Sequence, residues 1–251
     1  MSTQRPNSDR AACPHHGDAD GQAVRVEYEA DSANIDVYGL NDGQRAAEAD
    51  AEAIVIGTKR PDKMATYRIP ETAILATKKC YLRPYEASDA EALAKAANDP
   101  EIAKNMRSGF PSPYTLANAQ FWIELCRAEP ISLTFAIFTP EGEYAGAVSL
   151  MEPKGDKIYA GTREIGYFAA QRFWGRGIMG EAVRGFTRWA FATLPDLLRI
   201  EASTFQFNVG SQRVLEKAGF IKEGTRRLAV VKEGKQFDET IFGLIRTDIQ
   251  G

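Results

Sequence analysis

Arg172-Phe173-Trp174-Gly175-Arg176-Gly177 is the stretch whose reading decides the fold. It stands between a segment of strand character, about Arg163 to Ala169, and a strongly amphipathic helix over about 178–193. In that helix Met179, Ala182, Val183, Phe186, Ala190 and Leu194 recur at helical spacing. A glycine-rich turn that enters a helix favours anions. Small residues let the backbone approach a ligand closely. The loop amides and the first helical amides have no intrahelical acceptor, and the helix dipole adds partial positive charge there. Such a turn cradles a pyrophosphate through its backbone and needs no particular side chain.

The same letters allow other readings. Gly175-x-Gly177-x-x-Gly180 matches the dinucleotide pattern GxGxxG, with Glu201 placed about twenty residues beyond as the ribose-binding acid. Context argues against it. A dinucleotide fold opens with this unit, whereas here three helices and several strands come first. Bulky Phe173 and Trp174 occupy the turn, and Glu201 falls early in its strand. A glycine-rich turn without a ligand is the plain alternative. No GxxxxGK[ST] run is present, so a Walker-type NTPase has no support.

Working upstream, the pattern predicts a first strand at Tyr81-Leu82-Arg83. Ser88 and Glu91 form a capping box ahead of a helix with the stripe Ala90, Leu93, Ala96 and Ala97. Asp99-Pro100 opens a short second helix. A loop from Ser108 to Tyr114 follows, and then a helix capped by Thr115 that carries Leu116, Ala119, Phe121, Trp122, Leu125 and Cys126. Strands are expected at about 132–138 and 144–151, joined by Pro140-Glu141-Gly142-Glu143. Downstream, a strand over about 199–205 precedes a helix opened by Asn208 and closed by Gly219. A hairpin from Leu228 to Lys232 and from Phe237 to Ile245 turns at Glu233-Gly234. The order β, α, α, α, β, β, β, α, β, α, β, β is a mixed α/β domain over residues 71–251.

Residues 1–70 read as a largely disordered tail. Residues 1–23 have almost no large apolar side chains to offset their ordering entropy. Val24, Val26 and Tyr28 hint at a strand, and 41–52 at a short helix. The tail carries a net charge of −4 and the rest of the chain +1, so no strong attraction to nucleic acid or to an anionic membrane is implied. Cys13, Cys80 and Cys126 are few, odd in number and widely spaced, which points to a reducing compartment. With no apolar run of membrane length and no secretory or mitochondrial leader pattern, the cytoplasm is expected, the nucleus remaining open. The two histidines, His15 and His16, both lie in the tail. The domain therefore has no histidine for a Ser-His-Asp or Cys-His site or for a histidine metal site, and no metal is expected. Any general base there is a carboxylate, another side chain or a relayed water.

Residues 78–248 resemble the GCN5-related N-acetyltransferase (GNAT) superfamily, nearest to the ribosomal-protein N-terminal acetyltransferase branch. Arg172 to Gly177 meets that family's [QR]-x-x-G-x-[GA] signature in full. Glu164-Ile165-Gly166-Tyr167-Phe168 leads into it. Asn208-Val209-Gly210-Ser211 with Val214-Leu215-Glu216-Lys217-Ala218-Gly219-Phe220 follows, and Pro113-Tyr114-Thr115 with Ala119 and Trp122 lies upstream. The resemblance implies a strongly twisted mixed sheet with helices on both faces, in which the strands at 163–169 and 199–205 splay apart to admit acetyl-CoA. It implies that Phe168, Ala169 and Ala170 hold the pantetheine arm. Arg172, Phe173, Trp174, Gly175, Arg176, Gly177 and Ile178 would surround the pyrophosphate, and Asn208 would bond near the thioester or serve as a plain helix cap. Arg107, Phe110 and Tyr114 would line the acceptor site or pack their loop.

The implied reaction moves an acetyl group from acetyl-CoA to a primary amine by direct attack in a ternary complex. The acceptor is a protein N-terminus or a small-molecule amine, and the protein is a monomer or homodimer. A lysine-type amine has a pKa near 10 and a peptide α-amine near 8, so a proton must be removed first. Glu164 and Glu201, on the two splaying strands, are the candidates, one of them acting as base through a water, with structural hydrogen bonding or substrate positioning as their other reading. Many relatives place a tyrosine seven positions after the asparagine to protonate the leaving thiolate. Here that position is Leu215, and Ser211 is the candidate replacement. The missing tyrosine leaves open a non-catalytic acyl-CoA-binding or regulatory module on the same fold. A nicotinamide-dependent oxidoreductase rests on GxGxxG alone.

Overall fold

The computed structural model describes residues 69–129, 133–152 and 156–249. The tail expected over 1–70, with its hints at 24–28 and 41–52, lies outside them except for Ile69 and Pro70. Among the described residues eight strands form one sheet: β1 (Leu75–Ala76), β2 (Tyr81–Pro84), β3 (Thr134–Phe138), β4 (Tyr144–Met151), β5 (Thr162–Ala169), β6 (Arg199–Phe205), β7 (Ile221–Lys232) and β8 (Lys235–Ile245). Five helices among the described residues accompany them: α1 (Ala90–Ala97), α2 (Pro100–Asn105), α3 (Leu116–Ala128), α4 (Ile178–Thr193) and α5 (Val209–Lys217). The strand order is β1-β2-β3-β4-β5-β6-β8-β7. Every neighbouring pair is antiparallel except β5 and β6, which run parallel. That parallel pair needs a crossover, which α4 supplies.

Alternation along the strands divides the core in two. On one face Leu82, Ile137, Val148, Ile165, Ile200 and Phe242 pack under α4 and α5 through Val183, Phe186, Ala190 and Leu215. On the other face Tyr81, Ala136, Phe138 and Tyr144 meet α1 and α3 through Leu93, Ala97, Ala119 and Ile123. Helices thus cover both faces of a mixed sheet, as the resemblance implies. β4 passes close against β5 at Gly146. Its φ is +150°, and a Cβ there would stand 2.1 Å from the Phe168 carbonyl oxygen, so no other residue fits beside β5.

Four local readings are corrected. A two-residue strand, β1, precedes Tyr81; it is too short to show any periodicity. The Ser88–Glu91 capping box does not form. A 3₁₀ turn over Ala87–Asp89 comes first, and Asp89 takes the Glu86 amide at 2.8 Å while bound to the buried Arg83 at 2.7 and 2.8 Å. In α3 the buried side is Ala119, Ile123 and Cys126, whereas Leu116, Phe121, Trp122 and Leu125 are exposed, because small Ala119 rather than a bulky stripe sets the approach to α1. β7 starts at Ile221 instead of Leu228. It is an edge strand of mostly exposed residues, broken in register between Arg226 and Val230, so alternation appears only past the break. No helix of the described residues is long and apolar enough to cross a membrane.

Candidate active site

The loop after β5 is built to leave amides unspent. Ala170 leads into a 3₁₀ turn over Gln171–Phe173. The amides of Phe173, Trp174 and Arg176 bond back to Ala170, Gln171 and Phe173 within that turn. Gly175 and Gly177 then take φ of +76° and +78°, Gly177 as the N-cap of α4. The amides of Gly175, Gly177, Ile178, Met179 and Gly180 have no backbone acceptor among the described residues. They sit at the positive end of a helix of 16 residues. Nothing lies within 4 Å of where a Cβ would stand at Gly175 or Gly180. Phe173 and Trp174 brace the loop. Phe173 is buried beneath the Arg172 and Arg176 guanidinium groups, 4.6 and 5.4 Å from its ring centre. The Trp174 indole donates to the Ala169 carbonyl at 2.8 Å. Arg172 itself pairs with Glu143 at 3.3 Å.

Beside this loop the sheet opens. β5 and β6 pair at Thr162–Arg199, Arg163–Ile200 and Glu164–Glu201 and no further. β5 continues to Ala169 against β4 alone, and β6 to Phe205 against β8 alone. The gap therefore starts at the two predicted carboxylates. Both side chains point to the face away from α4, since Ile165 and Ile200 occupy the α4 face. Glu164 is held there: Arg107, reaching down from the α2–α3 loop, ion-pairs with its Oε1, and the Ser203 hydroxyl lies 3.4 Å from the same oxygen. Glu201 is held less. Its cation, Arg199, stands 3.7 Å off and gives two nitrogens to Glu223 at 2.5 and 2.7 Å, and the Glu201 side chain is 38% exposed.

On the α4 face of the same gap, Asn208 caps α5 by taking the Ser211 amide at 3.1 Å. The Ser211 hydroxyl meets the Tyr167 hydroxyl at 2.8 Å. Burial drives the Tyr167 phenol well above its ordinary range. Leu215, seven positions past Asn208, is fully buried in the core.

The acceptor-side residues separate. Arg107 faces the gap. Phe110 and Tyr114 pack on each other at 5.0 Å between ring centres, Phe110 also meets Phe168 at 6.2 Å, and Tyr114 is buried among the helices. Two more groups hold this side together. The Lys232 ammonium, on the β7–β8 hairpin, donates to the carbonyls of Ala103 and Met106 at the end of α2 and lies 5.7 Å from the Phe205 ring. Phe205, Phe207 and Phe237 then form a contiguous aromatic wall, with centroids 5.2 and 5.0 Å apart.

A profile described as the acetyltransferase (GNAT) domain matches residues 79–221. The chain belongs to the GNAT acetyltransferase family. It is 42% identical over 115 residues to the probable N-acetyltransferase YjcK of Bacillus subtilis, a match that covers 45% of this chain and 62% of that relative. It is 29% identical over 189 residues to the uncharacterized N-acetyltransferase p20 of Bacillus licheniformis, covering 70% of this chain and 98% of the relative. Among solved structures, RimL, a ribosomal L7/L12 α-N-protein acetyltransferase in complex with coenzyme A, superposes with a TM-score of 0.59 at 19% identity. That match covers 69% of this chain and 97% of RimL, and it speaks for the fold.

Within this GNAT domain Glu164, Glu201 and Arg107 lie on one face of the sheet where β5 and β6 part, and Ser211 and Asn208 lie on the other. Sequence reading missed Lys79, Glu181 and Tyr167. Lys79, on the β1–β2 turn, pairs with Glu181 in the first turn of α4 at 2.9 Å, and its ammonium stands 3.1 Å from where a Gly177 Cβ would be. Glu181 is buried, and its second oxygen has no partner among the described residues. A glutamate on the buried side of an amphipathic helix was the available signal.

Proposed function

We propose that this protein transfers an acetyl group from acetyl-CoA to a primary amine, either the α-amine of a protein N-terminus or a small-molecule amine. The observation that carries the reading is the β5–β6 gap, which opens at Glu164 and Glu201, together with five amides of the loop and the first turn of α4 that have no backbone acceptor among the described residues. The residues present fit the cofactor. Gly175, Gly177, Ile178, Met179 and Gly180 would bind its pyrophosphate through backbone N–H groups, and the unpaired edge of β5 up to Ala169 would take the amides of its arm. Bound acetyl-CoA would supply an activated acetyl thioester.

Glu201 takes the proton from the incoming amine, directly or through a water, because its oxygens are the more open of the two carboxylates. Glu164 positions Arg107, whose guanidinium orients the acceptor's carbonyl or carboxylate oxygen over the gap. Phe205 and its aromatic neighbours give the acceptor's body a surface along β6. Asn208 fixes the first turn of α5, and Ser211 donates toward the leaving sulfur.

Calorimetric titration of acetyl-CoA into the full chain, with NADH and NADPH as controls, tests the donor. Micromolar binding of acetyl-CoA alone supports the reading, and a CoA-release screen of amines and N-terminal peptides then tests the acceptor. A folded protein that binds no acetyl-CoA sinks it. Tight binding without turnover of any amine would favour a binding module instead.

A further inference from the structure

Leu215, seven positions past Asn208, is fully buried in the core and offers the leaving group no hydroxyl. A phenol nevertheless reaches the first turn of α5, from the strand instead. Tyr167 lies three residues past the last β5–β6 pair, where the strands have parted. Ile165 and Ala169, on its side of the strand, pack into the core under α4, and the charged groups Glu164, Glu201 and Arg107 occupy the opposite face. The Tyr167 ring thus crosses beneath the open edge, and its hydroxyl ends on Ser211, 2.8 Å from Oγ and 3.2 Å from the carbonyl oxygen. A phenol has one hydrogen to give. It can go to the Ser211 carbonyl oxygen or to Oγ, and Oγ is the nearer acceptor. With the phenol hydrogen on Oγ, the serine's own hydrogen is left for the gap. Burial of the phenol keeps it protonated, and so a donor, across the working pH range.

We infer that Tyr167 is a positioning residue, orienting the Ser211 hydroxyl so that its hydrogen meets the thioester sulfur as the leaving group departs. The inference rests on the acyl-CoA reading above. As the amine nitrogen bonds the acyl carbon and the carbon–sulfur bond breaks, the bonding pair stays on sulfur. Ser211 stabilises that charge by a hydrogen bond without giving up its proton. The amine's proton goes to Glu201, and the thiolate takes a proton from water afterwards.

The test uses the full chain saturated with CoA, with the thiol titrated by its far-ultraviolet thiolate absorbance. Bound to the wild type, the thiol ionises at lower pH than free CoA. Tyr167→Phe and Ser211→Ala each move that ionisation up by about one to two units, the worth of one hydrogen bond to a charge. Ser211→Thr stays near the wild type. Tyr167→Phe also lowers kcat while the KM for acetyl-CoA holds. Tyr85→Phe removes the hydroxyl from a buried tyrosine, bonded to Tyr144 at 2.7 Å in the opposite cluster, and leaves the titration unchanged. A Tyr167→Phe titration that overlays the wild type overturns the inference. So does an equal shift in Tyr85→Phe, which would mean that any buried hydroxyl acts through packing. A wild type that binds no CoA overturns the acyl-CoA reading first and takes this inference with it, and the opening titration shows which failure has occurred.

Discussion

The cofactor side and the acceptor side of the gap are made in different ways. The cofactor side is backbone: two glycines at positive φ, five open amides and a helix dipole, all within residues 175–180. The acceptor side is side chains. Arg107 comes from the α2–α3 loop, Glu164 from β5, Glu201 and Phe205 from β6, and Lys232 from the β7–β8 hairpin, so ion pairs and rings span elements far apart in the chain. Backbone recognition depends on a few local conformations and tolerates almost any side chain around it. Side-chain recognition is set by tertiary contacts and can change one residue at a time.

The largest break in that contrast comes at Gly177. Valine there meets a φ of +78° that a β-branched residue scarcely adopts, and its Cβ would stand 3.1 Å from the Lys79 ammonium. Strain of about 1–3 kcal/mol, added to lost amide contacts, predicts about a hundredfold weaker acetyl-CoA binding by calorimetry. Arg176→Ala, by contrast, changes it little, since the site is backbone. If Arg176→Ala costs as much as Gly177→Val, the cofactor side is not a backbone site.

Next in size is the proton acceptor. Glu201→Gln lowers kcat by about a hundredfold, the low end for general-base catalysis, and leaves acetyl-CoA affinity intact. Glu164→Gln costs less in kcat and more in acceptor KM, because its task is to hold Arg107. Near-normal turnover by both variants between pH 6 and 9 would remove both carboxylates from the proton's path.

How much of this was legible follows the same divide. The loop, α4, β6 and the start of α5 could be read directly, because their signals are local: glycines at fixed offsets, helical apolar spacing and a capping asparagine. The splay was implied by resemblance, and the β5–β6 pairing stops at Glu164–Glu201. Phe110 and Tyr114 were grouped with Arg107 because they share a loop, but a loop's sequence does not say which side chains turn inward. Lys232 gave no signal at all: a lysine near a hairpin turn reads as a solvated charge until α2 is placed under it. Tyr167 read as an ordinary strand residue for the same reason, its partner Ser211 lying 44 positions away.

Smaller effects sharpen the acceptor side. Arg107→Ala raises acceptor KM about tenfold, the cost of a lost charged hydrogen bond of about 1.5 kcal/mol, with acetyl-CoA affinity unchanged in the same preparation. Lys232→Met frees the end of α2 and should reproduce part of that rise, about two- to threefold, although the lysine touches neither carboxylate. An Arg107→Ala enzyme that loses acetyl-CoA affinity instead would join the two sides into one.

The smallest effect asks whether the two sides open separately. Each buries one thiol. Cys80 lies under the first turn of α4, its Sγ 3.9 Å from the Ile178 carbonyl, and Cys126 lies among α1 and α3. Burial pushes Cys80 from an ordinary 9.0 up to about 12, and Cys126 up to about 11. Raised values mean that the fold favours the neutral thiol. The associated stability is fully present below pH 9 and is lost as pH climbs through 9 toward 12, so the urea midpoint should fall over that window. At pH 8 the thiolate is scarce in the native state, and labelling must wait for local opening. Saturation with acetyl-CoA at ten times its Kd should slow Cys80 labelling about tenfold if the loop must let go first. Cys126 should label at an unchanged rate. Equal protection of both cysteines, read by mass spectrometry of the labelled peptides, would mean that the halves open as one unit. The difference between the two sides would then be one of recognition alone and not of stability.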